Sequence, residues 1–479
     1  MLQTLPHAGP RRWVATALAV ALLGGCATTA VNDNFSSAQA LAKERLGADV
    51  RWLTTDAARR EAQGEVDRLL QAALPADDAV RIALAYSPAL QAMLYEGAAA
   101  SASATQMGRM PNPIFTFERL VRKEHGERDL DVGRILSVSV LDLLLWPARL
   151  RQADLQQQQA RLKLSSDVVQ AALDTRQAWV RAVAARQAVQ YFEQVKASAD
   201  ASAELARRML AVGNFSKLQR AREQALAADA VTQLARARQK DIAAREALVR
   251  MLGLSAQQAR LLKLPDRLAD LPPAVRDEQQ VLQASIEQRL DVRMAQAQLD
   301  FMASSQGATR ITSVVNAFHL GAVRNSETGA PPQKGYELEL ALPIFDFGDA
   351  RRAEIQATYI ATVNRTAQMA VDATSQVRET YAAYRTTYDV AKHYRDEIVP
   401  LRKMITDENV LRYNGMLIGV FELLADAREQ IGSVVQAIEA QRDFWLADAA
   451  LQGAVIGKPM AGVAMEARSS VGGGAAEGH

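Results

Sequence analysis

The side chains that most often carry catalysis or hold metal ions are few in this chain and far apart in its sequence. The 479 residues contain a single cysteine, Cys26, and five histidines, which are His7, His125, His319, His393 and His479. No two histidines have the spacing of paired metal ligands on one helix. The sequence also has no Gly-rich phosphate loop and no G-x-S-x-G motif. We therefore predict a protein that is not an enzyme, with no catalytic residue, no bound metal and no cofactor.

The one cysteine stands where a bacterial export signal would end. Arg11 and Arg12 precede an apolar run, Trp13–Leu23, which is too short to span a bilayer but suits a signal peptide. Residues 23–26 read Leu-Gly-Gly-Cys and resemble the bacterial lipobox, in which the cysteine is acylated and becomes the mature N-terminus. Ala27 follows, rather than an aspartate, which suits sorting to the outer membrane. The alternative is an unmodified cysteine beside an ordinary cleavage site.

The composition is that of a folded protein with little net charge. Hydrophobic residues make up 49% of the chain and charged residues 23%, and the net charge is +2. Because nucleic-acid binding needs a basic surface, we predict no nucleic-acid partner. After Cys26 no run approaches the roughly 18 uncharged apolar residues of a transmembrane helix, so a membrane span would have to be a β-barrel.

The sequence repeats itself at a constant offset of 202 positions. Residues 137–151 (SVSVLDLLLWPARLR) align with 339–353 (ELALPIFDFGDARRA), and the same offset relates 88–92 to 290–294 and 211–215 (AVGNF) to 413–417 (YNGML). The tetrapeptide AREQ recurs at 221 and 427, an offset of 206. Three alignments at one offset predict a duplicated domain.

With the signal peptide and the tail, this duplication divides the chain into five predicted segments. Each of the two repeats is expected to contain short helices, a strand pair and a long helical hairpin. The segments are a signal peptide (1–25), an N-terminal lipidated segment (26–75), a first repeat (76–270, strand pair 113–141, hairpin turn near 213), a second repeat (271–460, strand pair 312–344, hairpin turn near 415) and a disordered tail (461–479).

The predicted helices are unusually long. No proline or glycine occurs from Ala148 to Val212, a stretch of about 97 Å if it is all helix. The equivalent stretch, Ala350–Arg412, contains Pro400, which we expect to kink it. Helices of this length need a packing partner, and a return helix with apolar residues every seven positions would supply one. The helices alone leave open a soluble coiled-coil rod.

Four segments alternate between apolar and polar residues, as strands do that have one apolar face. They are 114–120 (IFTFERL), 134–141 (RILSVSVL), 316–323 (NAFHLGAV) and 335–342 (GYELELAL). In the last of these, Tyr336, Leu338 and Leu340 face one way and Glu337 and Glu339 the other. The pattern fits a membrane barrel with its apolar side toward lipid, or a small soluble sheet packed on helices. Four strands cannot close a barrel, so a barrel would need several chains.

Three local motifs resemble those of the TolC-like outer-membrane efflux channels. They are residues 84–90 (LAYSPAL), 109–113 (RMPNP) and 342–348 (LPIFDFG), in an order typical of that family. The resemblance covers residues 76–458. One departure is Leu-Trp-Pro at 145–147, where the family often has Trp-Gly.

This resemblance implies a mainly α-helical fold with long coiled-coil hairpins forming an α-barrel, and four strands per chain in a trimeric 12-stranded membrane β-barrel. It implies a homotrimeric, lipid-anchored duct in the outer membrane that projects into the periplasm. The implied partners are a periplasmic adaptor protein, an inner-membrane transporter, expected to be proton-driven, and outer-membrane lipid. The alternatives are a periplasmic coiled-coil structural lipoprotein and the outer-membrane component of a type I secretion system.

The resemblance also implies functional positions at the hairpin tips and at the strand–helix junctions. The tip positions expected to contact the adaptor are Gly213, Asn214, Asn414 and Gly415. The junction positions are Pro147, Pro343 and Gly348. The gate candidates are Lys217, Arg220, Phe421, Glu422, Leu424 and Asp426.

The identity of the gate depends on two of these positions. In the family's best-known member aspartates line the tip, and the equivalent positions here are Phe421 and Leu424, with Glu422 and Asp426 beside them. We therefore expect an apolar seal next to a carboxylate ring. The alternative is that these charges are ordinary solvated residues at the tip.

We predict that Cys26 carries a lipid. Replacing it with serine should abolish incorporation of a labelled fatty acid into the protein in growing cells, because no other thiol is present. A labelled Cys26→Ser chain would contradict the lipobox assignment.

Overall fold

The computed structural model describes residues 25–124, 127–312, 317–342 and 344–458. These residues form two compact units of three segments each. One unit contains the chain up to Ala40, Met93–Ser165 and Asp291–Val371, and the other contains Leu41–Ala92, Ser166–Leu290 and the chain from Asp372 onward. Each unit therefore takes segments from both predicted repeats, whose boundaries stay a prediction. Most of the predicted signal peptide and all of the predicted tail lie outside the described residues.

Short helices precede each strand pair. They are α1 (Gly25–Leu46), α2 (Asp56–Leu69), α3 (Ala76–Tyr86) and α4 (Pro88–Met107) before the first pair, and α8 (Glu278–Gln288) and α9 (Leu290–Thr312) before the second. Pro88 begins α4, as expected of a residue whose missing N–H costs nothing in the first helical turn. The starts of α3 and α8 are 202 positions apart, and so are those of α4 and α9. The offset read from the sequence therefore holds for these helices.

Four antiparallel strands form a single sheet in the order β1-β2-β3-β4. They are β1 (Ile114–Glu124), β2 (Glu127–Ser139), β3 (Phe318–Glu327) and β4 (Gln333–Leu340). Both strand pairs lie inside the predicted ranges 113–141 and 312–344. The sheet joins the two copies through the β2–β3 pairing, in which Leu136 lies opposite Ala322.

Two long helical hairpins complete the chain. The first has α5 (Val140–Ala211, 72 residues) and α6 (Lys217–Leu252), followed by the short α7 (Ala256–Leu261). The second has α10 (Asp349–His393), a π-helical segment (Tyr394–Ile398), α11 (Val399–Asn414) and α12 (Val420–Ile456). No helix in the described part of the chain is long and apolar enough to cross a membrane.

The π-helical segment explains a one-residue difference between the hairpins. A π turn closes i→i+5 hydrogen bonds and so holds one more residue than an α turn. It ends just before Pro400, whose missing N–H and bulky ring disfavour a regular α turn at the predicted site of interruption. Beyond this segment the two hairpins are offset by 203 positions rather than 202, since α6 begins at Lys217 and α12 at Val420.

This shift changes which residue makes the second hairpin turn. At the first tip Gly213 has φ +80°, and the N–H of Asn214 donates to the C=O of Met209 at 2.9 Å, which is a Schellman motif. At the second tip the N–H of Leu417 donates to the C=O of Arg412 at 2.9 Å. The residue in the left-handed conformation there is Met416, with φ +59°. Gly415 has φ −80°, so the alignment of Gly213 with Gly415 is wrong by one residue.

The second tip is also capped less well at the start of its return helix. In the first hairpin Ser216 and Gln219 form a reciprocal capping box at the start of α6. In the second, Gly419 precedes α12 and has no side chain to accept an N–H. The second hairpin therefore has a strained turn and an uncapped helix, whereas the first has neither.

The packed core of the larger unit holds the bases of both hairpins. Leu70, Leu74, Leu248 and Leu252 are fully buried in one cluster, and the indole N–H of Trp179 donates to the C=O of Leu74 at 2.8 Å. In a second cluster, the ring of Phe444 lies 5.5 Å from that of Tyr384 and 5.6 Å from that of Tyr388. Aromatic pairs of this kind contribute about 0.5–1.5 kcal/mol beyond area burial.

We predict that Met416→Gly stabilises the second tip. A left-handed conformation costs an L-residue about 1–2 kcal/mol, of which glycine's greater freedom in the unfolded chain cancels part. Amide hydrogen exchange of the tip segment should slow several-fold. The matched change Gly213→Ala should speed exchange at the first tip, and faster exchange in Met416→Gly would contradict the strain argument.

Candidate functional site

One face of the sheet is a continuous exposed apolar surface. Directly opposed residues form one row, Phe115–Leu136–Ala322–Tyr336, and the next rows are Val138–Leu320–Leu338 and Phe318–Leu340. Tyr336 is 83% exposed and Phe115 is 63% exposed. An apolar surface of this extent on a folded chain marks an interface with lipid or protein. The alternation in the sequence predicts these rows, but only the register shows that they meet.

The opposite face of the sheet carries the acidic residues. Alternation places Glu118, Asp129, Asp131, Glu327, Glu337 and Glu339 there, together with Arg122 and His319. Asp131 pairs directly with Glu327 across β2 and β3. Like charges opposite one another destabilise a sheet unless water or counter-ions lie between them. This face therefore suits an aqueous space.

The two strand–helix junctions differ because one copy lacks a glycine. Gly348 has φ +68°, receives a hydrogen bond from Arg352 N–H at its C=O, and donates its own N–H to Asp346 Oδ1 at 2.8 Å just before α10. The equivalent residue 202 positions earlier is Trp146, for which this conformation is costly. In that copy β2 passes directly into α5, and Pro147 lies within the helix, in its second turn. Pro343 lies outside the described residues.

At the hairpin tips two phenylalanines stack on each other. The ring centroids of Phe215 and Phe421 are 4.6 Å apart, and the rings are inclined by 20°. Phe215 lies in the turn that connects α5 to α6, and Phe421 lies in the first helical turn of α12. The contact therefore joins the two hairpins. Phe421 was a gate candidate from the sequence, whereas Phe215 was not. The AVGNF segment contains Phe215, but alignment to YNGML gave no signal that it would meet Phe421.

The other gate candidates are spread over the tip surface. Lys217, Arg220 and Glu422 are exposed, and none of the three takes part in an ion pair among the residues that the structure describes. Leu424 and Asp426 are half-buried, and the Asp426 carboxylate accepts a hydrogen bond from the Asn409 amide. The positions expected to contact the adaptor, Gly213, Asn214, Asn414 and Gly415, are all exposed at the two turns.

A buried ion pair also links the hairpins, and it involves both copies of the AREQ tetrapeptide. Glu223 on α6 lies 3.6 Å from Arg428 on α12, and their side chains are 14% and 18% exposed. The Ser202 hydroxyl donates to the same carboxylate at 2.5 Å. Removing one partner of such a pair leaves a largely buried charge without its counter-ion and is destabilising. The recurrence of AREQ was the available signal, but sequence alone does not indicate that Glu from one copy meets Arg from the other.

The two hairpins also line an open groove with a volume of about 1250 Å³, and Arg428 of this ion pair is one of its lining residues. Its walls carry alanines and charges of both signs, including Arg181, Asp229, Arg442 and Asp443. Burial, and then the charge of Arg442, lower the pKa of Arg181 from its ordinary value. Among the described residues no cluster of three or more His, Cys, Asp or Glu side chains could hold a metal ion.

No protein-family model matches the chain, and no curated protein matches it. Solved structures do match it. The Campylobacter jejuni CmeC outer-membrane channel has 14% identity and a TM-score of 0.69 over 80% of this chain and 86% of its own. The outer-membrane protein VceC of Vibrio cholerae has 15% identity and a TM-score of 0.61 over 84% of this chain and 98% of its own. A membrane protein from Pseudomonas aeruginosa has 20% identity and a TM-score of 0.63 over 79% and 92%.

These similarities extend over 79% to 84% of the chain rather than over one motif. The chain therefore has the fold of the TolC-like outer-membrane efflux channels.

Proposed function

We propose that three copies of this chain form a duct through the outer membrane, through which an efflux pump expels its substrates. The observation that carries this proposal is the sheet, which is apolar and exposed on one face and acidic on the other. In a closed barrel the first face meets hydrocarbon and the second lines water. The fold shared with outer-membrane channels supports the same conclusion.

The number of strands supports assembly from several chains. β1 and β4 are edge strands of the sheet in the described structure, and their outer N–H and C=O groups need partners. An unpaired strand edge is not tolerated in hydrocarbon, because each unsatisfied group costs several kcal/mol. Pairing β4 of one copy with β1 of the next satisfies both edges, and three copies give a 12-stranded barrel.

The hairpin tips would form the gate of this duct. Within each chain Phe215 meets Phe421. Applying the offset of 203 to both residues gives Ile418 and Leu218, which would meet between neighbouring copies. A collar of these four residues, repeated in each of the three copies, would close the tip with apolar groups. Glu422 and Asp426 lie just beyond it and would favour cations.

The remaining roles follow from this architecture. As a duct the protein would conduct passively and would not act as an enzyme. An adaptor in the periplasm would dock at the exposed tips, and an inner-membrane transporter, expected to be proton-driven, would supply energy and substrate choice. Lipid on Cys26 would add a second anchor to that of the barrel.

We predict that Leu338→Arg prevents assembly and Glu339→Gln does not. The first change puts a charge on the lipid face, at a cost of about 2–4 kcal/mol near the bilayer midplane. The second removes a charge from the water-filled side. The measurement is the yield of detergent-resistant trimer from outer membranes, at matched expression. Equal trimer yields from both variants would contradict the assignment of the two faces.

A further inference from the structure

The basic residues of the sheet are almost all on its apolar face. The register places Arg119, Lys123, Arg128, Arg134, Arg324 and Lys334 on the face that carries Phe115, Leu136 and Tyr336. All six side chains are exposed. The described acidic residues lie on the other face, so the charges of the sheet are separated by sign. Solubility alone would not require such a separation.

Three of these basic residues form a row across neighbouring strands. Arg134 on β2 lies directly opposite Arg324 on β3, and Arg324 lies directly opposite Lys334 on β4. We call Arg134, Arg324 and Lys334 the basic row. Like charges in direct cross-strand pairs are destabilising, so the row requires nearby anions. Within the described part of the chain none of the three has an ion-pair partner, and the one side-chain bond of the row joins Arg134 to the hydroxyl of Ser326 at 3.2 Å.

On β3 and β4 the row ends the apolar surface on the side of the strand turns, whereas on β1 and β2 the apolar residues Val121, Leu130 and Val132 continue beyond it. From Lys334 to Leu342, which is 67% exposed, the chain advances by about 27 Å at about 3.4 Å per residue. A tilt of about 40° reduces this to roughly 20 Å across the membrane. The apolar band of a membrane barrel is about 25 Å tall. The basic row would therefore lie at the boundary of the hydrocarbon, from which long basic side chains reach outward.

We propose that the basic row binds the phosphate groups of lipid headgroups in the leaflet that surrounds the hairpin end of the sheet. This inference rests on the proposed function, because it requires the apolar face to contact lipid. Guanidinium groups bind phosphate through paired N–H donors and a lysine binds it as a point charge, so three copies would present a ring of about six guanidinium and three ammonium groups. The phosphates would supply the anions that the cross-strand pairs lack. Anionic lipid would then stabilise the assembled barrel.

The test compares the wild-type protein with Arg134→Gln/Arg324→Gln/Lys334→Gln, both purified as full chains in non-ionic detergent. Labelled phosphatidylglycerol and phosphatidylcholine are titrated into each. The wild type should prefer phosphatidylglycerol, and the triple variant should lose about 100-fold in affinity for it, since each basic residue near an anionic surface contributes about fivefold. A control with the same change in net charge, Arg60→Gln/Arg68→Gln/Arg260→Gln, should retain the preference.

Two further readouts separate the outcomes. Millimolar inorganic phosphate should not displace the lipid, and displacement would show a site for soluble anions rather than for headgroups. Without lipid the triple variant should unfold at the same or a higher temperature than the wild type, because it lacks the repulsion. A wild-type trimer without lipid preference, or a triple variant that keeps it, would overturn this inference alone. A wild type that forms no trimer would count against the proposed function.

Discussion

The surroundings that the two faces of the four-stranded sheet require constrain the arrangement of the rest of the chain. An apolar face with this much exposed surface needs lipid or protein against it. An acidic face on which Asp131 lies opposite Glu327 needs contact with water. A sheet with two free edges cannot meet both demands alone. Closing it against further copies, as proposed above, would cover the edges, turn the acidic residues inward and leave the apolar rows for lipid. The proposed three-fold assembly would then bring six helical hairpins together, and their tips would become a shared surface.

Within that assembly the two hairpins of a chain are not equivalent. The first turn has a glycine in the left-handed conformation and a capped return helix, whereas the second has Met416 in that conformation and no side-chain cap. The difference traces back to the single residue added by the π segment before Pro400. Phe215 with Phe421, and Glu223 with Arg428, hold the hairpins to each other. The second hairpin therefore has the weaker turn of the two.

Much of the fold could be predicted because its signals are local. Alternation in GYELELAL and IFTFERL places strands, and the absence of proline and glycine over 65 residues places a long helix. The π segment could not be predicted, since one extra residue in a helix changes neither composition nor periodicity measurably. Without it the alignment gives Gly415, not Met416, as the turn residue. Contacts between the copies, such as Glu223 with Arg428, depend on how two helices pack, and a repeated AREQ does not specify that.

The chain is proposed above to form a conducting duct that apolar groups close at the hairpin tips. Electrical conductance of the purified trimer in a planar lipid bilayer tests this most directly. The wild type should be almost always closed, and Phe215→Ala combined with Phe421→Ala should give frequent, long openings at the same trimer yield. An intact double-variant trimer that inserts into the bilayer but never conducts would contradict the claim.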